Sequence, residues 1–390
     1  MNFLAVPPVL PASSVLLRTL HLAAFVLFLV PMNLALGLPL LTLAAEAIGR
    51  WRHDTFVRRL TIWLARRTPG AIALAAATAF PVYLLSVARY GWTALPAGRL
   101  MGWVILAVIP VLVAGCGGAF WVALRRRGSE PSTLRPFLPD VVESYILAFR
   151  RRGLERPGLV LTALVTLCML AVEFVFVSHA ILASRPDLWP AAAEMPSGLF
   201  LPVRDPQLVP RLLLMLAGAM AVSGFFAAWH GADHVRDGDT AYGRSVLIFG
   251  ALALAIAVIL QITSGVWMVY SLPPSVSTAL ATGSPSGILV LWGGAGAAVA
   301  TAVLALVAAF APAPCQYIYA GAVTLLYSLG STTLARERIR EALLVAAKIV
   351  PAKASVCAQP EAVGAFVAVS VLGAAAIAYM IAVSTPSRRE

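Results

Sequence analysis

Charged residues and cysteine motifs are scarce in this sequence, and their scarcity excludes several classes of protein. Only 12% of the 390 residues are charged, against roughly 25% in soluble globular domains. The sequence has no GxGxxG after a strand, no P-loop, no GxSxG and no HExxH, so it lacks common enzyme signatures. The cysteines stand singly, without the spacings that iron–sulfur clusters and covalent heme require; they are Cys116, Cys168, Cys315 and Cys357.

Hydrophobic residues are abundant instead, and they form long continuous runs. They make up 60% of the chain, and the mean hydropathy is +0.88. A membrane-spanning helix needs about 20 apolar residues, and continuous rather than alternating runs predict helices rather than barrel strands. We therefore predict an all-α fold, a polytopic integral membrane helical bundle that forms one domain over residues 1–390. Its nine or so transmembrane helices are predicted at residues 15–45, 70–88, 100–124, 158–183, 209–229, 245–272, 288–311, 317–334 and 363–383.

The basic residues predict the orientation of the bundle. An outside N-terminus puts the two most basic connections, before helix 2 and before helix 4, in the cytoplasm. The sequence is thus typical of a multi-pass protein of the bacterial inner (cytoplasmic) membrane, with its C-terminus in the cytoplasm. The net charge of +12 is explained by loops beside anionic lipid, so the lipid bilayer, and no nucleic acid, is the predicted partner.

One basic segment opposes this orientation. Residues 336–350 carry several arginines and lysines on the predicted outer side. Their apolar residues recur at helical spacing, as in an amphipathic helix that lies on a membrane surface or under a partner. We therefore predict an amphipathic surface helix over residues 336–350.

Glu173 is an ionisable residue inside the fourth predicted helix, after about fifteen mostly apolar residues. A charge at the centre of a span costs roughly 2.5 to 3.5 kcal/mol on insertion scales, so the carboxyl should be neutral, paired or hydrated. Two interpretations stay open. Glu173 is either a catalytic group on a proton path or a structural hydrogen-bonding group between helices.

Two histidines share a leaflet in the predicted topology. His21 lies roughly 9 Å inside the first helix and His179 roughly 6 Å inside the fourth, at 1.5 Å per residue. Two neutral imidazoles at similar depth are what a b-type heme with two axial histidines needs. Alternatively, each ring is an interfacial histidine bonded to a backbone carbonyl or to water.

A second histidine pair lies at the cytoplasmic end of the fifth predicted helix. His230 and His234 are four residues apart, and with Asp233 or Asp237 they could chelate a metal ion. The neighbouring Gly231 and the nearby helix terminus favour a solvated helix end instead.

Three passages resemble cytochrome bd quinol oxidase subunit I. The first is the opening helix, LLRTLHLAAFVLFLVPMNLALGLPLLTLAAEAIG, with a histidine before a proline and a glutamate near its end. The basic connector WRHDTFVRRLTIWLARRTPG follows in the expected order, and then FFAAWHGADHVRDGDTAYGRSVLIFGALALAIAVILQITSG. Nine helices with an outside N-terminus also match that subunit. The resemblance implies a respiratory membrane protein that uses quinone as a substrate.

Several functional positions of that family are changed in this sequence. Val26 or Leu27 stands where the family has a heme-ligating histidine, and the histidine of helix 5 is replaced near Leu213. The paired carboxylates of helix 3 have no counterpart, and the quinol loop is reduced to the uncharged residues 273–285. We therefore do not expect an oxygen reductase.

Three functions remain open at this point. The first is a subunit of a respiratory complex that moves electrons between the quinone pool and an outer-side partner, with one or two b-type hemes at most. That partner would be a cytochrome c or a similar redox protein, beside other subunits of the complex. The second is a scaffold subunit that has lost its redox sites. The third is a transporter.

The orientation can be tested by labelling from outside. Cysteines introduced as Arg58→Cys and Arg126→Cys should be protected from impermeant thiol reagents in intact cells, because both lie in the basic connections predicted to be cytoplasmic. Cysteines placed in residues 336–350 should be labelled. Permeabilised cells, in which all sites should react, serve as the control, and outside labelling at position 58 or 126 would overturn the orientation.

Overall fold

A computed structural model describes residues 9–10, 13–52, 55–125, 157–195, 198–282, 285–347, 355–356, 360–361, 363–368, 370–371 and 373. Its ten helices are α1 (Ser14–Arg52), α2 (Thr55–Leu100), α3 (Gly102–Arg125), α4 (Pro157–Ser184), α5 (Trp189–Ala193), α6 (Leu208–Arg236), α7 (Thr240–Tyr270), α8 (Pro274–Thr282), α9 (Pro285–Phe310) and α10 (Pro314–Ala346). A short 3-10 helix, Pro186–Leu188, precedes α5. Two-residue strands, β1 (Val9–Leu10) and β2 (Ser355–Val356), pair in parallel.

Eight of these helices are long and apolar enough to cross a membrane: α1, α2, α3, α4, α6, α7, α9 and α10. The predicted helical membrane bundle is thereby confirmed. The last predicted span, residues 363–383, falls largely outside the described residues, although residues 363–368 are helical.

The first residues of α1 and the last residues of α10 lie at the same end of the bundle. Arg18 near the start of α1 is 3.8 Å from Glu341 near the end of α10, and β1 pairs with β2 beyond α10. We call this end the outer end, because the sequence predicts the start of α1 to be outside. The start of α1 and the end of α10 are separated by eight described spans. Because eight is an even number, both ends fall on the same side of the membrane.

Helix α2 is much longer than the apolar run that predicted it. It begins at Thr55, within the basic connector, and ends at Leu100. Leu60 and Leu64 of the connector are buried against α1 and α7, so packing gives the basic segment an apolar side that hydropathy alone does not reveal. At Tyr90 the helix is kinked, with φ −128° and ψ 20°.

Residues 336–346 do not form a separate surface helix. They continue α10 to Ala346, and Ile339 and Leu343 pack on a buried cluster with Met268, Leu272 and Val276. The apolar stripe that suggested a membrane surface is thus covered by α7 and α8 of the same chain. Residues 348–350 of the predicted segment lie outside the described residues.

Close backbone contact joins α6 to α7. A Cβ on Gly224 would lie 2.9 Å from the carbonyl oxygen of Gly250, and a Cβ on Gly243 would lie 2.7 Å from the backbone nitrogen of Val235. Small residues at helix interfaces are typical of membrane bundles, where dispersion contacts replace the hydrophobic effect between helices. The glycines therefore set the distance between α6 and α7.

This close packing predicts the effect of one added methyl group. Gly224→Ala should destabilise the protein by about 1 to 3 kcal/mol, because the new Cβ meets backbone atoms that cannot turn aside. Thermal unfolding in detergent measures the loss. The matched control is Gly296→Ala in α9, where a Cβ would meet nothing within 4 Å. Equal stability of the two variants would contradict the packing described here.

Candidate functional site

His21 is a buried histidine whose two ring nitrogens both have partners on α2. The residue is 1% exposed. Its Nε2 is 3.0 Å from Ser86 Oγ, and its Nδ1 is 3.2 Å from Arg89 Nη1. A guanidinium has only donors, so Nδ1 is assigned as the acceptor and Nε2 as the protonated nitrogen that donates to Ser86.

Glu337 of α10 is the acceptor at the centre of this site. It is 2% exposed. The hydroxyl of Tyr90 donates to its Oε2 at 2.6 Å, and Arg89 Nη1 donates to the same oxygen at 3.2 Å. His21 Nδ1 is 3.7 Å from Oε1. We call the five residues His21, Ser86, Arg89, Tyr90 and Glu337 the Glu337 cluster.

The Glu337 cluster is linked to the surface of the outer end. Arg89 Nη2 lies 3.5 Å from Glu341 Oε1, and Glu341 in turn lies 3.8 Å from Arg18. The side chains of Arg18 and Glu341 are 43% and 40% exposed, whereas that of Arg89 is 12% exposed. Ion pairs therefore connect the buried carboxylate of Glu337 to exposed side chains at the outer end.

Sequence reasoning missed most of this cluster. Arg89 follows an apolar run as an ordinary flanking charge, and Glu337 falls in the segment that was expected on the membrane surface. A usable signal was present in the run ARERIR, which continues the helical periodicity of a span instead of breaking it. The two residues are 248 positions apart, so the sequence alone gave no reason to pair them.

Two arginines of α10 lie against aromatic rings beside the cluster. The guanidinium carbon of Arg336 is 4.2 Å from the ring centroid of Phe25 and 5.6 Å from that of Phe176. Arg340 lies 3.8 Å from the ring centroid of Tyr90, and its Nη2 donates to Thr93 Oγ1 at 3.3 Å. Cation–π contact of this kind stabilises a guanidinium that is removed from water.

Glu173 is buried as the sequence predicts, with 6% of its surface exposed. Its Oε1 has no hydrogen-bond partner within the described part of the chain, and Arg336 is the charged residue that acts on it electrostatically. Because Arg336 precedes Glu337 on α10, Glu173 lies within electrostatic range of the turn that carries Glu337. Both interpretations of Glu173 stay open.

His179 donates a hydrogen bond at a different place on α2. Its Nε2 is 3.2 Å from the carbonyl oxygen of Ala94, which requires Nε2 to be the donor. Ala94 and Ser86 are eight residues apart, or about 12 Å along a helix. Each histidine thus bonds α2 through Nε2, and the described contacts do not fit a heme held between these two rings. The axial role of His21 and His179 stays a prediction.

The loop before α6 carries a polar network that runs inward from the outer end. Arg185 donates to Asp187 at 2.7 Å and to Asp205 at 3.1 Å, and its hydrogen bond holds the pKa of Asp187 below the usual value. The backbone nitrogen of Gln207 donates to Asp205 at 2.8 Å. Arg211 of α6 donates to the Gln207 side chain at 2.7 Å.

The second histidine pair lies at the opposite end of the bundle. His230 stacks on Trp63 with ring centroids 3.9 Å apart, and its Nε2 is 3.4 Å from the hydroxyl of Tyr242. His234 lies 3.7 Å from Asp239. Over the described residues no group of three metal-ligating side chains occurs, so the contacts favour packing over metal binding for this pair.

The fold is similar to that of a solved structure over nearly the whole chain. The bd oxidase from Geobacillus thermodenitrificans superposes with a TM-score of 0.62 and 14% sequence identity, covering 95% of this chain and 98% of the other. No protein-family model matches the chain, and no curated protein matches it either. The bd-oxidase-like fold predicted from the opening helix is confirmed at the level of the fold, for a multi-pass membrane protein.

The contacts of the two histidines predict the outcome of a heme test. Because Nε2 of His21 and of His179 is engaged with α2, His21→Ala and His179→Ala should leave the absorption spectrum of the purified chain between 400 and about 560 nm, the range of b-type heme bands, unchanged. Val15→Ala, on an exposed side chain of α1, is the matched control. A Soret band that shifts in both histidine variants, and not in the control, would restore the axial pair.

Proposed function

We propose that this chain is the subunit I-like membrane subunit of a respiratory electron-transfer complex in the bacterial inner membrane. In this proposal it moves electrons between the quinone pool and a redox partner on the outer side, a cytochrome c or a similar protein. The observation that carries the proposal is the Glu337 cluster, a buried site of acceptors and donors in a bd-oxidase-like fold. The fold gives the membrane setting, and the site gives the chemistry.

A quinone headgroup requires polar partners of the kind that the cluster contains. Its two oxygens accept hydrogen bonds as a quinone and donate them as a quinol. Arg89 and Tyr90 are donors, and Glu337 and the Nδ1 of His21 are acceptors. Burying ionisable residues is costly, so a buried cluster of them is a candidate functional site.

Oxidation of one quinol releases two protons and two electrons. Glu337 can take a proton from a quinol hydroxyl, since a general base must lie within hydrogen-bond reach and its Oε2 already accepts a phenolic hydroxyl at 2.6 Å. Glu173, buried beside Arg336, is the second candidate acceptor. Glu341 shares Arg89 with Glu337, and it lies closer to the surface, where a proton can leave.

The electrons need an acceptor next to the quinol. A b-type heme, where one is bound, supplies one-electron steps between a quinol and a partner protein. Because Nε2 of both His21 and His179 contacts α2, the acceptor in this proposal is a cofactor of a neighbouring subunit, and the axial role of the two histidines stays a prediction. The chain then contributes the quinone site, the proton acceptors and the membrane anchor.

A scaffold subunit without redox chemistry is the second candidate. The full engagement of His21, with a partner on each ring nitrogen, favours it. In that case the Glu337 cluster is a structural ion-pair network that joins α1, α2 and α10. The two candidates differ in whether quinol turnover depends on the buried carboxylates.

Turnover of the intact complex in two carboxylate variants tests the proposal. Glu337→Gln and Glu173→Gln keep the shape and hydrogen bonding but cannot exchange a proton, so each should lower quinol-dependent reduction of the acceptor. We expect a loss on the order of 10²-fold for a proton acceptor. Assembly is checked by size-exclusion chromatography and thermal unfolding.

Glu194→Gln is the matched control, because Glu194 is an exposed carboxylate of the outer loops. It should leave turnover unchanged. Full activity in both buried variants would remove the two carboxylates from the site. Quinol turnover that does not require this chain would favour the scaffold.

A further inference from the structure

Three arginines near the outer end lie inside the bundle without a carboxylate partner. Arg211 of α6, Arg336 of α10 and Arg340 of α10 have no carboxylate oxygen within 4.0 Å among the residues that the structure describes. We call them the arginine triad. By contrast, Arg89 is ion-paired with both Glu337 and Glu341.

The triad leaves buried hydrogen-bond donors unused. Arg211 bonds Gln207 through Nη2, and Arg340 bonds Thr93 through Nη2. The Nε atoms of Arg211 and Arg340 are buried, and neither has a partner in the described part of the chain. The guanidinium of Arg336 lies against the rings of Phe25 and Phe176. A buried donor without an acceptor costs about 1 to 3 kcal/mol, and more when it is charged.

The carboxylates of this region are paired with other arginines. Arg211 is within electrostatic range of Arg336 and Arg340, which repel it, and of Asp205, which attracts it. Asp205 is paired with Arg185, and Glu337 and Glu341 are paired with Arg89, so the triad lacks a carboxylate at ion-pair distance within the described residues. Burial of unpaired charge is expensive, so an anion that binds between these helices would be strongly favoured.

The depth of the triad indicates where such an anion comes from. Arg340 is 26 residues after Pro314, or about 39 Å along α10 at 1.5 Å per residue, and the hydrocarbon core is only about 30 Å thick. Arg340 therefore lies near the level of lipid headgroups. Guanidinium forks match the oxygens of phosphate in two-pronged hydrogen bonds, and phosphate supplies charged acceptors for the donors of the triad.

We propose that Arg211, Arg336 and Arg340 form a binding site for one phosphate-type oxyanion, supplied by an anionic lipid headgroup or by inorganic phosphate. The phosphate oxygens accept from the free donors of α6 and α10 and bridge the two helices. The site adjoins the Glu337 cluster, because Arg340 lies on the ring of Tyr90, but phosphate binding and its test do not depend on the proposed function. Its expected effect is ligand-induced stabilisation of the folded chain.

Thermal unfolding of the purified full chain in detergent tests the site. The midpoint should rise on addition of sodium phosphate or of short-chain phosphatidylglycerol, and it should not rise with sodium chloride at the same ionic strength. The double variant Arg336→Gln/Arg340→Gln should need at least about tenfold more of the probe for the same rise. A charge-assisted hydrogen bond contributes 1.5 to 3 kcal/mol, and about 1.4 kcal/mol is tenfold.

Arg204→Gln is the matched control, since Arg204 is an exposed arginine of the outer loops, and it should respond like the unchanged chain. Arg211→Gln repeats the comparison where the double variant does not fold. Stabilisation by inorganic phosphate identifies a free oxyanion as sufficient, and stabilisation by phosphatidylglycerol alone identifies the lipid. Stabilisation by neither probe, an equal effect of chloride, or an equal response of the triad variants and Arg204→Gln would overturn the proposal.

Discussion

The outer end of this bundle depends on one buried carboxylate. Glu337 accepts from Tyr90 and Arg89 of α2 and lies beside His21 of α1, so a single side chain of α10 joins three helices. An ion in an apolar environment is tolerated only where its partners compensate the lost hydration. Each of α1, α2 and α10 must therefore be oriented about its axis so that His21, Arg89 and Tyr90 stay in contact with Glu337.

The kink of α2 belongs to the same constraint. Tyr90 is the residue with non-helical backbone angles, and its hydroxyl makes the shortest hydrogen bond to Glu337. Arg340 lies over the ring of Tyr90, 3.8 Å from its centroid. The break in α2 and the charged turn of α10 are thus fitted to each other, and a straight helix would present Tyr90 in another direction.

The sequence predicted the fold well because hydropathy acts locally. A run of about 20 apolar residues makes a spanning helix whatever its neighbours are, and the eight described spans follow those runs. The ends of the helices were harder to predict. Residues 336–346 look amphipathic in isolation, and only the contact of Ile339 and Leu343 with α7 and α8 shows that they are interior.

The site was predicted only in part, because its contacts are distant in sequence. The depth of His21 and of Glu173 followed from the surrounding apolar residues, and both are buried. Their partners did not follow. His21 bonds Ser86 and Arg89, 65 and 68 positions away, and no periodicity links such positions. The axial pair of His21 and His179 stays a prediction from two imidazoles at one depth, and the sequence did not indicate that Nε2 of each ring contacts α2.

The similarity of fold to bd oxidase and the chemistry of the candidate site depend on different residues of the chain. Helix packing depends on small residues such as Gly224 and Gly250, whose backbones touch, and on apolar surfaces that many sequences can provide. A fold can therefore persist at 14% identity, while function depends on a few polar groups. For that reason the chemistry of this chain has to be argued from the Glu337 cluster and the arginines around it.

The position of the cluster also gives the proposed chemistry a direction. Glu337 and Glu341 are one helical turn apart on α10, they share Arg89, and Glu341 contacts the exposed Arg18. Protons released at Glu337 are therefore nearer to the outer surface than to the opposite end, where His230 and Asp239 lie. Under the proposed function and the predicted orientation, quinol oxidation at this site delivers its protons outside, and charge separation follows from the placement of one carboxylate.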